Sequence, residues 1–255
     1  MRILLKPLQW IYVGYAVILF IALMLLIFPF VIISSFFGRI RGGNMIYRLC
    51  SLWADIWFPL IFIFHRKIYE APHDPTKQYI FVSNHISWLD AAILPKAFRQ
   101  PVRALGKIEM SAIPIFGFIY RNAIVTVDRS SSEHRSHSIR ILRSIISKEI
   151  SVMVFPEGTF NKTGKPLKEF YNGAFRLAIE TNTPIKPVLF LDSYSRMHYK
   201  SLFSLNPGMS RIVYLEEIPV ADLNIADMHQ LKQRVYEMME ASLIAHKASW
   251  IGSED

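Results

Sequence analysis

The sequence is poor in cysteine and in charged side chains. Cys50 is the single cysteine in 255 residues, which excludes an internal disulfide framework and a cysteine-rich metal site. Charged residues make up only 19% of the chain, whereas 52% are hydrophobic and the mean hydropathy is +0.26. This balance excludes a disordered chain and is unusual for a soluble enzyme, because so many apolar side chains need burial or a lipid environment.

Acidic residues are absent before Asp55, and the segment that lacks them holds a long apolar run. Residues 10–37 are almost wholly apolar and would reach about 40 Å as one helix, against roughly 30 Å of bilayer hydrocarbon. Pro29 is expected to kink or end that helix. With the shorter apolar block 52–64, two arrangements are open: a tilted spanning helix with a partly buried second segment, or a helical hairpin in one leaflet.

Basic residues flank this apolar run, and they supply much of the net charge of +9. More of them follow the run than precede it, which places residues 39 onward on the cytoplasmic side by the positive-inside rule. The same charges attract anionic lipid headgroups, so we expect a membrane surface as the partner rather than a nucleic acid. The residues concerned are Arg2, Lys6, Arg39, Arg41, Arg48, Arg66 and Lys67.

From about residue 75 the pattern changes to short apolar runs that alternate with amphipathic stretches. This is typical of an α/β fold, and it predicts a mixed, largely parallel sheet flanked by helices. The predicted strands are 78–82, 123–127, 151–155, 185–191 and 211–215, and the predicted helices are 132–148, 173–181 and 228–246. The chain therefore divides into a membrane-associated helical segment, 1–64, and a second domain, 65–255.

Polar clusters follow three of the predicted strands: Asn84-His85, Asp128-Arg129 and Glu157-Gly158-Thr159. In open α/β sheets, functional groups gather beyond the carboxyl ends of the strands, so these clusters predict one site. Within it, Asp90 is five residues after His85. On a regular helix the two side chains would point apart, but if His85 lies in the turn before the helix, Asp90 can reach back to one imidazole nitrogen. The other nitrogen is then free to act as a base.

The spacing of His85 and Asp90 is weak evidence on its own, because His65 and Glu70 have nearly the same arrangement. We interpret His65 and Glu70 as part of the membrane edge, since they follow the second apolar block rather than a strand. The argument for His85 depends on what accompanies it. Glu157 can bind a hydroxyl or pair with a cation, Gly158 permits a tight turn, and Thr159 can donate to an anionic group, although a simple surface turn would look the same.

Together these segments resemble the glycerolipid acyltransferase family, which includes 1-acylglycerol-3-phosphate acyltransferase. The resemblance runs in order over roughly residues 80–190. Asn84-His85 with Asp90 matches the NHxxxxD block, and the segments around Lys107 to Arg129, 155–159 and 184–188 match the second, third and fourth blocks. Four ordered blocks at suitable separations are a strong signal, although each alone is weak.

The resemblance implies an acyl thioester donor, acyl-CoA or acyl carrier protein, and a lysophospholipid acceptor, with no cofactor and no metal. His85 would be the base on the acceptor hydroxyl and Asp90 would orient it. Asn84 would shape the turn, and Lys107 would stabilise negative charge at the thioester oxygen. A glycerol phosphate would be held by Arg129, Glu157, Gly158 and Thr159.

One position departs from the family pattern: Phe160 stands where the family commonly has arginine. This weakens the expected phosphate contact, although Lys162, Lys165 or Lys168 just beyond could substitute for it. Lys186, within the fourth block, is expected to face solvent.

The sequence thus predicts a membrane-bound O-acyltransferase, with 1-acylglycerol 3-phosphate as acceptor and phosphatidic acid as product. Two alternatives stay open: the same chemistry on another lyso-acceptor such as a lyso-aminolipid, and a non-enzymic lipid-binding protein. A hydrolase has no support, because no GxSxG nucleophile motif is present.

Overall fold

Seven strands form one sheet in the order β1-β7-β6-β2-β5-β3-β4. A computed structural model of the chain describes residues 6–127 and 132–252. For residues 132–137 it describes the backbone alone. Neighbouring strands are parallel except for β6 and β7, so the predicted mixed, largely parallel sheet is confirmed. The strands are β1 Ile63–Tyr69, β2 Ile80–Val82, β3 Val102–Lys107, β4 Val125–Val127, β5 Ser151–Val154, β6 Ile185–Phe190 and β7 Gly208–Tyr214.

Helices cover both faces of this sheet. The α-helices are α1 Lys6–Ser35, α2 Gly43–Leu60, α3 Leu89–Ala97, α4 Phe116–Ala123, α5 Ser132–Ile146, α6 Gly173–Thr181, α7 Ser193–Arg196 and α8 Met228–Ala245. A π-helical turn, Gly38–Gly42, joins α1 to α2, and short 3₁₀ turns lie at Ile108–Ala112, Leu202–Ser204 and Ile225–Asp227. The helix predicted at 173–181 has the bounds of α6, and those predicted at 132–148 and 228–246 overlap α5 and α8 to within two residues.

Two hydrophobic clusters lie on opposite faces of the sheet, because successive strand side chains point to opposite sides. Phe81 contributes to the cluster that contains α1, α2, α3 and α4, while its neighbours Ile80 and Val82 contribute to the cluster that contains α5, α6 and α8. The central strands are therefore buried on both faces, which explains why they read as continuous apolar runs in the sequence.

The long apolar run forms α1, a single continuous helix. The expectation that the helix ends at Pro29 is wrong, since it continues to Ser35, and a kink there stays a prediction. Proline removes one backbone hydrogen bond, and Ile27 and Val31 are buried on either side of it, so packing holds both halves in one helix. In the part of the chain that the structure describes, α1 is the one helix long and apolar enough to cross a membrane.

The second apolar block is divided between α2 and the start of β1. α1 packs along α2: Trp57 Nε1 donates to the Ala16 carbonyl over 3.0 Å, and the Tyr12 hydroxyl donates to the Ile61 carbonyl over 2.6 Å. Residues of both helices belong to the same buried cluster as the sheet. The expected boundary at residue 64 falls inside β1, and the division into two domains stays a prediction.

Strand direction gathers several chain segments at one edge of the sheet. β2, β5 and β6 run parallel and end at this edge, whereas β7 and β1 run the opposite way and begin there. We call it the His85 edge, because His85 follows the end of β2. Any site at this edge is therefore next to the starts of β1 and β7 as well.

Candidate active site

A histidine–carboxylate pair lies where the loop after β2 leads into α3. Asp90 lies in the first turn of α3 and is fully buried, while His85 lies in the irregular segment before that helix. Asp90 Oδ2 is 2.9 Å from His85 Nδ1, and it also accepts the backbone N–H groups of Ile86 and Ser87, each over 2.8 Å. Three donors therefore converge on one carboxylate oxygen and hold the side chain in a fixed orientation towards the imidazole.

This geometry determines which nitrogen of His85 is available for chemistry. A carboxylate on Nδ1 favours the tautomer that carries its proton there, and Nε2 then has the free lone pair. The His85 side chain is 20% exposed, while that of Asp90 has no exposure. The imidazole can therefore accept a proton from an incoming hydroxyl, while Asp90 stays shielded from solvent.

The Glu157 turn holds the backbone of His85 from the other side. Glu157 follows β5 and is 1% exposed; its Oε1 accepts the His85 N–H and its Oε2 accepts the Lys168 N–H, each over 2.9 Å. The backbone N–H of Asn161 donates to the His85 carbonyl over 2.8 Å. Both peptide groups of His85 are thus bonded to the segment 157–161.

Burial shifts the ionisation of Glu157. Desolvation raises the pKa of its carboxyl to about 7, and the backbone N–H of His85, that of Lys168 and the Lys168 charge oppose the shift. The two oxygens accept N–H groups most strongly when the carboxylate is ionised. Burial makes that charge costly, so the clamp on His85 and the desolvation of Glu157 act in opposite directions.

Aromatic rings enclose the imidazole. The His85 ring is stacked on Phe155, with centroids 4.0 Å apart and planes at 15°, and Phe160 packs against it at 4.4 Å. Trp88 meets Phe160 edge-on at 5.0 Å. These contacts restrict the orientation of the imidazole and keep bulk water away from its faces.

A shallow depression of about 280 Å³ adjoins this aromatic group. Phe160 lines it and also touches the His85 ring. The other lining residues are Thr159, Lys162, Thr163 and Lys168. Lys165, the third lysine of this segment, is exposed and does not line the depression. The depression therefore combines positive charge with a position beside the imidazole.

The structure places the other predicted site residues as follows. Asn84 ties its loop to the end of β6, because its side chain donates to the Phe190 carbonyl and accepts the Phe190 N–H, both over 2.9 Å. Gly158 has a φ of +71°, and Thr159 beside it is exposed. Lys107 is the exposed last residue of β3, at the His85 edge. Arg129 lies outside the described residues.

One expectation about a neighbouring residue needs correction. Lys186 is fully buried rather than facing solvent, and its Nζ donates to the Pro72 carbonyl over 2.7 Å. His65 lies in β1, and neither of its ring nitrogens has a hydrogen-bond partner among the described residues. Glu70 pairs instead with His246. The second histidine–acid spacing therefore does not build a second pair.

Sequence reasoning missed the residues that act on His85 through packing and backbone bonds. Phe155 and Phe160 contact the ring, and the Asn161 N–H donates to the His85 carbonyl. An aromatic residue at each end of 155–160 was visible in the sequence, but ring stacking across two loops has no spacing signature.

No group of three or more histidine, cysteine or acidic side chains in the described part of the chain could hold a metal ion. The arrangement offers a base, an orienting acid and cationic side chains. These are the groups that a transfer between a hydroxyl and an activated carbonyl requires.

Comparison with known proteins agrees with this chemistry. The sequence model of the family described as Acyltransferase matches residues 65–191. An uncharacterised acyltransferase of Schizosaccharomyces pombe is 29% identical over 84% of this chain and 81% of its own length. A 1-acyl-sn-glycerol-3-phosphate acyltransferase of Cocos nucifera is 27% identical over 73% of this chain, which spans 59% of that protein.

The fold also has a solved counterpart. The crystal structure of the 1-acyl-sn-glycerophosphate acyltransferase PlsC from Thermotoga maritima superposes with a TM-score of 0.75 over 100% of both chains, at 21% sequence identity. At that identity the likeness establishes the fold alone. The matched family model and the ordered sequence blocks lead to one assignment: the chain belongs to the acyltransferase family.

Proposed function

We propose that this protein transfers a fatty acyl chain from a thioester to the free hydroxyl of 1-acylglycerol 3-phosphate, giving phosphatidic acid. The observation that carries the proposal is the His85–Asp90 pair, in which Asp90 bonds to Nδ1 and leaves Nε2 to act as the base, close to a depression lined by two lysines. The relatives that are named after their acceptor are 1-acyl-sn-glycerol-3-phosphate acyltransferases, which agrees with an anionic acceptor.

The reaction uses His85 twice. Nε2 takes the proton of the acceptor hydroxyl as its oxygen attacks the thioester carbonyl, and the new C–O bond gives a tetrahedral intermediate. The intermediate collapses with cleavage of the C–S bond, and the imidazolium returns the proton to the leaving thiolate. Asp90 stabilises the imidazolium in between. A positioned base of this kind contributes about 10²–10⁴ in rate. We assign stabilisation of the carbonyl oxygen to Lys107, and the donor is acyl-CoA or acyl carrier protein.

Glu157 acts on the base rather than on the substrate. Both of its oxygens already accept backbone N–H groups, one of them from His85 itself. Its part is to fix the His85 loop against the 157–161 turn, while Gly158 and Thr159 shape the adjoining surface. Asn84 fixes the same loop to β6.

The acceptor phosphate is assigned to Lys162 and Lys168, together with Thr159 and with Arg129. Phe160 occupies the position of the family's arginine and packs on His85, so it cannot supply charge there. Lysines are point charges without the planar fork of arginine, and two of them line the depression. Because Phe160 replaces that arginine, a different lyso-acceptor, such as a lyso-aminolipid, is a second candidate substrate.

The test is acyl transfer by the purified full-length protein with a labelled acyl thioester and a panel of acceptors: 1-acylglycerol 3-phosphate, lyso-aminolipids and neutral monoacylglycerol. We expect phosphatidic acid to be the preferred product. Lys162→Met should raise the acceptor KM about tenfold or more, with the donor KM unchanged, because one charged hydrogen bond is worth about 1.5–3 kcal/mol. Lys165→Met is the matched control and should leave both constants unchanged. Preferred acylation of a lyso-aminolipid would support the second candidate.

For attachment, we propose that α1 and α2 lie in one leaflet with their outer faces in lipid. Val13 and Val31, near opposite ends of α1, are both buried against the protein, so the helix packs along it rather than projecting from it. Arg39 and Arg41 are exposed in the turn that follows, and a charged turn favours the headgroup layer over the bilayer centre. We also propose that the catalytic region lies on the cytoplasmic side, because more basic residues follow the apolar run than precede it.

A further inference from the structure

We propose that the catalytic region makes a second contact with the leaflet through three exposed apolar side chains, Phe62, Leu202 and Phe203, which we call the apolar rim. Their side chains are 59%, 58% and 63% exposed. Phe62 immediately precedes β1, and Leu202 and Phe203 form the 3₁₀ turn before β7. The inference rests on the proposed membrane attachment and adds a lipid-binding surface outside α1 and α2.

The apolar rim adjoins α1. Tyr12 of α1 donates to the carbonyl of Ile61, the residue before Phe62, and the turn Leu202–Ser204 contacts α1 directly. On the same helix, Leu8 and Ile11 are exposed. The rim therefore continues the apolar surface of α1 onto the catalytic region, and a lipid leaflet that covers one can cover the other.

Polar turn chemistry holds the two rim side chains of the 3₁₀ turn outward. The Ser201 hydroxyl accepts the Phe203 N–H over 3.1 Å, and the Ser204 hydroxyl donates to the Ser201 carbonyl over 2.6 Å. The Asn206 side chain donates to the carbonyls of Ser195 and Ser204. Leu202 and Phe203 are thus held outward at the tip of a hydrogen-bonded turn. Transfer of these two apolar side chains from water into lipid is favourable.

The same segment is bonded to the candidate active site. Ser87 donates to the Met197 carbonyl over 2.5 Å, and Trp88 Nε1 donates to the Tyr199 carbonyl over 3.1 Å. The rim and His85 also share the His85 edge, because β1 and β7 begin where β2 ends. Contact of the rim with lipid therefore places the mouth of the site at the leaflet, so that a lipid acceptor can enter laterally.

The test places an environment-sensitive fluorophore on the rim of the full-length protein. Phe203→Cys is labelled in a Cys50→Ala background and incorporated into vesicles of phosphatidylcholine and phosphatidylglycerol. The matched control is Tyr69→Cys, since Tyr69 is 53% exposed but ends β1 at the opposite edge of the sheet. We expect the label at 203 to be quenched by nitroxide-bearing lipids and protected from aqueous iodide, and the label at 69 to show the reverse.

The outcomes separate this inference from the proposed function, because quenching needs no turnover. A label at 203 that is open to iodide in vesicles overturns the inference. The inference is also overturned if the label at 203 is protected from iodide but not quenched by lipid, and if this protection increases with protein concentration. That result would assign the rim to a contact with a second copy of the chain. As a second measurement, Leu202→Ser with Phe203→Ser should raise the KM for vesicle-borne acceptor about tenfold or more. Transfer to a short-chain, water-soluble acceptor should be unchanged.

Discussion

Replacing Glu157 with glutamine tests how the base is held. In the wild type the buried carboxylate accepts the N–H groups of His85 and Lys168. Glutamine has one oxygen and one NH₂ group, so one of the two N–H groups would face another donor. A buried donor left without an acceptor costs about 1–3 kcal/mol. We therefore expect a less stable protein with a misplaced His85 loop and reduced kcat.

The pH dependence of stability gives this prediction its sharper form. Burial raises the pKa of Glu157 from 4.5 to about 7, so between these values the folded state binds the proton more readily than the unfolded state. The stabilisation is fully present below the unfolded pKa and is lost as the pH rises through about 7. At about 1.4 kcal/mol per pKa unit, the wild type loses about 3 kcal/mol from this group. Glutamine does not titrate, so in Glu157→Gln the free energy of unfolding should no longer fall by this amount as the pH rises.

The assay is denaturant unfolding of the full-length protein in mild detergent, followed by circular dichroism, at about pH 5 and about pH 8. The wild type should lose more free energy of unfolding between these values than Glu157→Gln does. The destabilisation by the substitution should therefore be largest at about pH 5 and shrink towards about pH 8. The reasoning is refuted if the two proteins show the same change with pH.

Two further substitutions probe the same site. Asp90→Asn keeps an oxygen for the three groups that now bond to Asp90 Oδ2, but it removes the negative charge that stabilises the imidazolium, so kcat should fall by about 10²–10⁴ with the acceptor KM little changed; kcat within a few-fold of wild type would contradict this. Gly158→Ala forces a side chain into a φ of +71°, with its Cβ 2.6 Å from the Tyr171 ring. It should lower the free energy of unfolding by about 1–2 kcal/mol in the same unfolding assay, and an unchanged value would show that the turn relaxes freely.

Much of the fold could be predicted because its elements carry local signals. α6 combines a helical apolar period with an asparagine at its end, and its predicted bounds match those observed. β1 had no such signal. As an edge strand it carries His65, Arg66 and Lys67, and its pairing is with β7 at the far end of the sequence. A strand defined by so distant a partner cannot be read from its own composition.

The candidate site was predictable to a similar extent. His85 and Asp90 are five residues apart, so one local turn brings them together. The role of Glu157 was less accessible, because a carboxylate that binds two backbone N–H groups has the same sequence as one that binds substrate. The burial of Lys186 could not be predicted either, because its Nζ bonds to the carbonyl of Pro72, which is remote in the sequence.

The central claim is that His85 removes the proton from the acceptor hydroxyl. The most direct measurement is single-turnover acyl transfer by His85→Ala and wild type, each at saturating donor and acceptor, with circular dichroism to verify folding and vesicle flotation to verify membrane association. The account predicts that the folded, membrane-bound variant loses about 10²–10⁴ in rate. A rate within about threefold of wild type would contradict it.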